Sequence, residues 1–309
     1  GVVRVAGDNR YLTAVEASKQ AFPYGASTVV LATGENWPDA LGGSALAGAV
    51  RGPILLTRSA SLPSEVAEEI MRLGATRVYV LGGSVAVTAD VENALIELVG
   101  AHDVVRLAGD TRYETAEAVA DETIAHLGTR YGRAVFVVTG ADFPDATAAA
   151  PVAAYAAWPV LLAAPDATDV YRPPLALRAI ILGGTAAVSE MTEDALAAEY
   201  GPTHVERLYG ADRYATAAAV AQYGYDYCMT WHGVGLASGT AFPDALSGGS
   251  MLGIYRSVLL LTSPTELSPA TRDKLEANTV GIAGSMHVIG GEAAVSPEVE
   301  AEAELAAGL

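Results

Sequence analysis

Four landmarks recur in the same order three times along the chain, and internal repetition of this kind restricts the fold more than any local propensity does. The first landmark is Arg4-Val-Ala-Gly-Asp-Asn-Arg-Tyr11-Leu-Thr13, repeated as Arg106-Leu-Ala-Gly-Asp-Thr-Arg-Tyr113-Glu-Thr115 and Arg207-Leu-Tyr-Gly-Ala-Asp-Arg-Tyr214-Ala-Thr216. The second is an aromatic residue before Pro-Asp-Ala, at Trp37–Ala40, Phe143–Ala146 and Phe242–Ala245. The third is an apolar run at Pro53–Leu56, Pro159–Leu162 and Val258–Leu261. The fourth is a glycine pair, Gly82-Gly83, Gly183-Gly184 and Gly290-Gly291. Gly7, Gly109 and Gly210 are 102 and 101 residues apart, so the 309 residues divide into units at 1–101, 102–203 and 204–309.

Inside a unit the pattern alternates between strand and helix. Val2–Val5 reads as a short strand, with Asp8 as the N-cap of a helix that carries Tyr11, Ala14, Val15 and Ser18 on one face. Thr28–Thr33 is a continuous apolar run, as expected of a strand buried on both faces. Pro38 suits the first turn of a small-residue helix reaching about Val50. Strands at Ile54–Thr57 and Val78–Leu81 follow, with helices over Pro63–Leu73 and Thr88–Val99. Alternating βα units predict an α/β fold with parallel sheets covered by helices. In the second unit Tyr171-Arg-Pro-Pro174 falls where the third helix belongs, so that helix is expected to shrink to a turn. In the third, Ser268-Pro269 starts a helix and Gly281-Ile-Ala-Gly284 is an insertion. No Pro-, Gly- or Ser-rich linker separates the units, which predicts a compact pseudo-threefold triplet, with an open row as the alternative.

Composition narrows the function classes. The chain carries 36 Asp+Glu against 18 Lys+Arg, a net charge of −18, which argues against nucleic acid as a partner. It equally disfavours docking on anionic lipid. Ala146–Pro165 is 20 residues without a charge, but the matching stretches contain Arg51 and Arg256 and prolines interrupt it. It therefore reads as a buried helix and strand, and no transmembrane segment is expected. A single cysteine, Cys228, excludes an internal disulfide and a Cys-rich metal site. The chain starts abruptly at Gly1-Val2-Val3, compatible with a processed N-terminus, and a missing leader says nothing of location.

Six arginines occupy equivalent positions: Arg4, Arg106 and Arg207 in one set, Arg10, Arg112 and Arg213 in the other. Their guanidinium groups could fork onto phosphate or carboxylate. Equally, they could be internal clips, with Arg10 pairing to Asp8 or Asp39. Asp39, Asp145 and Asp244 follow a buried strand at its C-terminal end, where open α/β sheets place ligands. They read as acid/base groups, as acceptors for sugar hydroxyls, or as first-turn acids complementing a helix dipole. The glycine pairs could cradle an anion or simply form a tight turn. Tyr11, Tyr113 and Tyr214 read as packing, whereas Trp37, Phe143 and Phe242 are placed for stacking on a sugar or for packing. The five histidines share no repeat position, and no nucleophile elbow or dinucleotide fingerprint is present, so neither a catalytic residue, a metal nor a cofactor is expected.

The ordered set of landmarks resembles the second family of cell-wall-binding repeats, found in tandem triplets on bacterial and archaeal surface proteins. The resemblance covers nearly the whole chain. It implies three Toprim-like α/β units packed about a pseudo-threefold axis, and non-covalent anchoring of a surface protein to an anionic cell-wall glycopolymer. It places the protein outside the cell, at the surface or wall. The first and second units depart from the family in having Gly-Asp-x-Arg, and only Gly210-Ala-Asp212-Arg213 matches its Gly-x-Asp-Arg pattern. Toprim-type phosphotransfer needs a strand-end Glu plus Asp-x-Asp, which are not found, so fold likeness carries no catalysis. Alternatives are a structural subunit of a surface layer or filament, built through contacts with other surface-layer proteins, and an accessory to an envelope hydrolase or amidase.

Overall fold

The computed structural model describes residues Gly1–Leu309. Unit 1 runs β1 (Val2–Val5), α1 (Arg10–Ala21), β2 (Thr28–Thr33), α2 (Gly43–Val50), β3 (Ile54–Thr57), α3 (Ser64–Leu73), β4 (Arg77–Leu81) and α4 (Ala89–Val99). Unit 2 follows with β5 (Val104–Leu107), α5 (Arg112–Leu127), β6 (Ala134–Thr139), α6 (Pro144–Ala148), α7 (Ala150–Ala156), β7 (Val160–Ala163), β8 (Arg178–Leu182) and α8 (Glu190–Tyr200). Unit 3 contains β9 (Val205–Leu208), α9 (Arg213–Tyr227), β10 (Thr230–Ser238), α10 (Phe242–Tyr255), β11 (Ser257–Thr262), α11 (Pro269–Ala277), β12 (Met286–Ile289) and α12 (Pro297–Ala307). As expected, no helix stands between β7 and β8.

The strands form three parallel four-stranded sheets, ordered β3-β2-β4-β5, β7-β6-β8-β9 and β11-β10-β12-β1. Each unit's opening strand is therefore an edge strand of the sheet before it. Sequence units and sheets are out of step by one strand. Because β1 pairs with β12, from Val2 against Met286 to Val5 against Ile289, the first unit completes the third and the ring closes. An open row is excluded by that pairing.

Helices α2, α7 and α10 pack against one another at the centre. Their small residues permit close approach: a Cβ on Gly48 would overlap the carbonyl oxygen of Ala154. At the N-terminal end of this trio Trp37, Phe143 and Phe242 meet, with ring centroids 6.4 and 6.1 Å apart. The opening helix of each unit packs on the central helix of the unit before it: α5 on α2, α9 on α6, and α1 on α10.

Two local expectations need correction. Asn9, not Asp8, caps α1, its Oδ1 accepting from the amides of Tyr11 and Leu12 at 3.0 Å. In unit 1 the stretch after Pro38 forms turns and the helix begins only at Gly43, whereas Pro144 and Pro243 do lie in the first turns of α6 and α10. The glycine pair Gly42-Gly43 lowers helix propensity at that point in unit 1.

Candidate functional site

The first landmark resolves into separate mechanical roles. Arg106 Nη1 donates to the Gly82 carbonyl at 2.7 Å, and its Nε and Nη2 donate to Glu92 at 3.1 and 2.6 Å. Arg207 does the same with Gly183 and Glu193, and Arg4 with Gly290 and Glu300. These three side chains are 20, 8 and 21% exposed, and their donors tie each opening strand to the last turn and helix of the preceding unit. The partners also carry a sequence signal: Glu92, Glu193 and Glu300 each stand nine residues after the second glycine of the pair. They are a fifth landmark.

The landmark glycine lets the loop fold back onto the helix, because a Cβ on Gly109 would collide with Glu114. Its amide donates to the landmark threonine, Gly109 to Thr115 at 3.1 Å and Gly210 to Thr216 at 3.1 Å. The cap position is filled by Asn9, Thr111 or Asp212, all good N-caps. Thr111 forms a reciprocal capping box with Glu114. The departure from Gly-x-Asp-Arg thus exchanges one capping side chain for another and leaves the following arginine in place.

That arginine is less engaged: Arg10 is exposed, and Arg112 and Arg213 are half-buried. Arg112 donates one bond to the Gly140 carbonyl at 2.6 Å, Arg213 one to Gly239 at 2.8 Å, and Arg10 one to Gly34. Remaining donors point toward the seam between units. Across each seam stands the strand-end aspartate of the preceding unit: Asp39 faces Arg112, Asp145 faces Arg213, and Asp244 faces Arg10. The clip from Arg10 to Asp8 or Asp39 does not form. The charges that face each other belong to different units, so the site is made only by assembly of the ring.

Each aspartate leans on the first glycine of its own unit's pair, and a Cβ on Gly82 would sit 2.5 Å from Asp39 Oδ2. Gly82, Gly183 and Gly290 also adopt φ of +96°, +104° and +106°. Turn geometry therefore accounts for the first glycine. The second, Gly83, Gly184 or Gly291, opens onto empty space and lines the groove.

Three grooves result, of about 530 Å³ between units 1 and 2, 590 Å³ between 2 and 3, and 210 Å³ between 3 and 1. The first is rich in hydroxyl and amide groups, with Asn36, Ser59, Ser84 and Thr111 around Asp39 and Arg112. Arg112 also lies over the Trp37 ring, 5.1 Å from its centroid. Trp37, Phe143 and Phe242 pack on each other, which leaves packing as their principal role. A larger cavity of 640 Å³ lies between α9 and α11, but none of the four landmarks contributes its repeated polar residues there.

Burial raises the pKa of all three aspartates. For Asp39 the Thr115 hydroxyl and Arg112 pull it back, and for Asp244 Arg10 and Thr13 do so. Asp145 is pushed up to about 6 by burial and then by Asp142, against the pull of Arg213. A raised carboxyl pKa destabilises the fold where the group is ionised. Below about pH 4 both folded and unfolded Asp145 are protonated and the penalty vanishes; it grows as pH rises and is complete above the folded value. Asp145→Asn should therefore stabilise the protein at neutral pH by about 1–3 kcal/mol, with no gain at acid pH. Thermal unfolding of both proteins across that range checks the sign.

The chain matches the family described as cell wall binding domain 2 (CWB2) three times, over residues 4–92, 106–193 and 207–300. It belongs to that family. CWB2 units are binding modules, and a cell-wall or cell-surface association with wall polymers follows. Over 303 residues the chain is 29% identical to the N-acetylmuramoyl-L-alanine amidase LytC of Bacillus subtilis, covering 96% of this chain and 57% of that protein. It is 30% identical over 301 residues to the amidase enhancer of the same organism, covering 96% of this chain and 39% of the relative. The chain thus spans only part of both relatives. Among solved structures, Cwp8 from Clostridium difficile superposes with a TM-score of 0.86 at 26% identity, covering all of this chain and 52% of that one. Cwp6 from the same organism shares the fold, with a TM-score of 0.84 at 24% identity over 97% of this chain and 47% of its own. No helix of the CWB2 triplet is long and apolar enough to cross a membrane.

Proposed function

We propose that this CWB2 triplet is a non-catalytic module that anchors a surface protein outside the cell to an anionic wall glycopolymer, held in the grooves between units. One observation carries the reading: every seam sets an arginine with unspent donors opposite an aspartate of the preceding unit, in an open groove. Arg10, Arg112 and Arg213 contact the anionic groups, and Asp39, Asp145 and Asp244 orient those arginines or accept sugar hydroxyls. Arg4, Arg106 and Arg207, first candidates for the same role, act through the scaffold instead, because their donors are engaged internally.

The test is co-sedimentation with purified walls stripped of protein. Retention should be high at low salt and fall steeply by about 0.5 M salt, because exposed ion pairs are screened. Absence of retention at low salt removes the reading. A second reading, self-assembly into a surface layer, draws on the exposed hydrophobic side chains Tyr155, Ile254 and Tyr255 beside Arg256. Association without polymer, measured by light scattering, would favour it.

A further inference from the structure

The three seams repeat one plan, but the residue that shares each groove with the arginine from across the seam does not repeat. Three positions before the groove aspartate stand Asn36, Asp142 and Ala241. Asn36 and Asp142 both turn Oδ1 back to accept from the next amide, Trp37 at 3.0 Å and Phe143 at 2.8 Å. In Asp142 the other oxygen is charged and lies 3.5 Å from Arg213 Nη2. In Asn36 its place is taken by a neutral amide nitrogen. Arg112 forms no ion pair and lies over the Trp37 ring, 5.1 Å from its centroid.

Two further positions vary in the same sense. The carbonyls of Ser59, Pro165 and Pro264 accept from the amides of Thr88, Ser189 and Ser296 at 2.9, 3.0 and 2.9 Å, so these residues are equivalent, yet only the first brings a hydroxyl. After the glycine pairs stand Ser84, Thr185 and Glu292. The groove between units 1 and 2 therefore gathers the amide of Asn36, the hydroxyls of Ser59 and Ser84, and a guanidinium that its carboxylates, Asp39 and Asp110, leave unpaired. The groove between units 2 and 3 engages its arginine with Asp142 and is lined by Asp145 and Asp212 as well. The groove between units 3 and 1 encloses about 210 Å³ against about 530 Å³ for the first, and the exposed Glu292 stands next to its Gly291.

We propose that the three seams are unequal, with the groove between units 1 and 2 as the principal anion site and the position held by Asn36, Asp142 and Ala241 setting the rank. This rests on the polymer reading above and names the groove that carries most of the affinity. An anion approaching Arg112 meets free donors on a guanidinium held by the Trp37 ring, with an amide and hydroxyls beside it for the neutral part of the polymer unit. An anion approaching Arg213 must first displace Asp142, whose negative charge stays in the groove and opposes it. Asn36 and Asp142 are thus specificity-determining residues, and the exchange of an amide for a carboxylate separates a strong seam from a weak one. On whole walls the weaker grooves still add to retention through simultaneous contact, so the rank shows only with a ligand that fills one groove.

A two-unit oligomer of poly(glycerol phosphate) is a suitable probe, and its binding to the intact chain at low salt is measured by calorimetry. Arg112→Ala should lower the affinity about tenfold or more, and by a clearly larger factor than Arg10→Ala or Arg213→Ala. Asn36→Asp, which keeps the Oδ1 bond to the Trp37 amide and adds only the charge, should lower it about two- to fivefold. The reverse exchange, Asp142→Asn in the Arg112→Ala background, should raise the residual affinity by about the same factor. Asn36 and Asp142 are both exposed, so neither exchange endangers the fold. If the three arginine variants weaken binding equally, or if Asn36→Asp keeps the wild-type affinity, the ranking is overturned and the polymer reading stands. If no arginine variant weakens binding, or the oligomer does not bind at all, both are overturned.

Discussion

Combined replacement of Arg10, Arg112 and Arg213 by alanine should abolish retention on purified walls while the protein remains folded. Arg10 and Arg112 each donate one hydrogen bond within their own chain, and Arg213 adds only a 3.5 Å contact with Asp142, so little of the scaffold depends on them. Each charge-assisted contact to a ligand is worth about 1.5–3 kcal/mol, or roughly tenfold or more in affinity. With three grooves acting on one polymer the effects multiply, so a single substitution should be tolerated far better than the triple. Co-sedimentation of the single, double and triple variants, with circular dichroism as a control for folding, separates the cases. Replacement of Arg4, Arg106 and Arg207 is expected to behave differently. It would leave Glu92, Glu193 and Glu300 without their partners and lower the unfolding temperature first. Wild-type retention by the folded Arg10, Arg112 and Arg213 triple variant would sink the groove assignment.

The second large effect concerns the axis, not the grooves. Helix propensity alone says that Gly48→Ala in the middle of α2 should gain about 1 kcal/mol. Packing says the reverse. A Cβ there would overlap the Ala154 carbonyl oxygen of α7, a backbone atom that cannot rotate away. The helices would have to separate, with loss of contacts along the trio, and the expected cost is about 2–4 kcal/mol. Denaturant unfolding should give that loss as a lowered midpoint. Gly83→Ala is the matched control: it meets nothing within 4 Å and has an ordinary φ, so its effect should stay within about 0.5 kcal/mol. A stabilised Gly48→Ala would mean that the central helices are not held at this distance in solution.

Much of the architecture was legible because burial leaves a periodic trace. The apolar runs at Thr28–Thr33 and Ala134–Thr139 are buried strands, as continuous hydrophobicity requires. Tyr171-Arg-Pro-Pro174 removed a helix as proline chemistry demands. The site was only half legible. Both sets of arginines repeat with equal fidelity, and a folding clip repeats as faithfully as a ligand contact does. What separates Arg106 from Arg112 is the company each keeps: a glutamate nine residues past the glycine pair for one, an open seam for the other. The glutamate was visible in the sequence and could have been found by extending the repeat alignment through the last helix. That Asp39 would face Arg112, not Arg10, had no local signal, since the two belong to different units.

Three repeats, their alternation of strand and helix, their parallel sheets, and the residues from which any repeated site must be drawn all follow from the order of amino acids. Which sheet each opening strand completes, and hence where the grooves lie, is set only when the three units pack together. The reason is physical: each opening strand is four residues long, carries an arginine and is at most partly buried, so it fits the edge of either sheet and its pattern does not name its neighbour. The choice falls to the closure of the ring. Closure sends β1 to β12, brings α1 against α10, and in doing so sets each arginine opposite the aspartate of another unit.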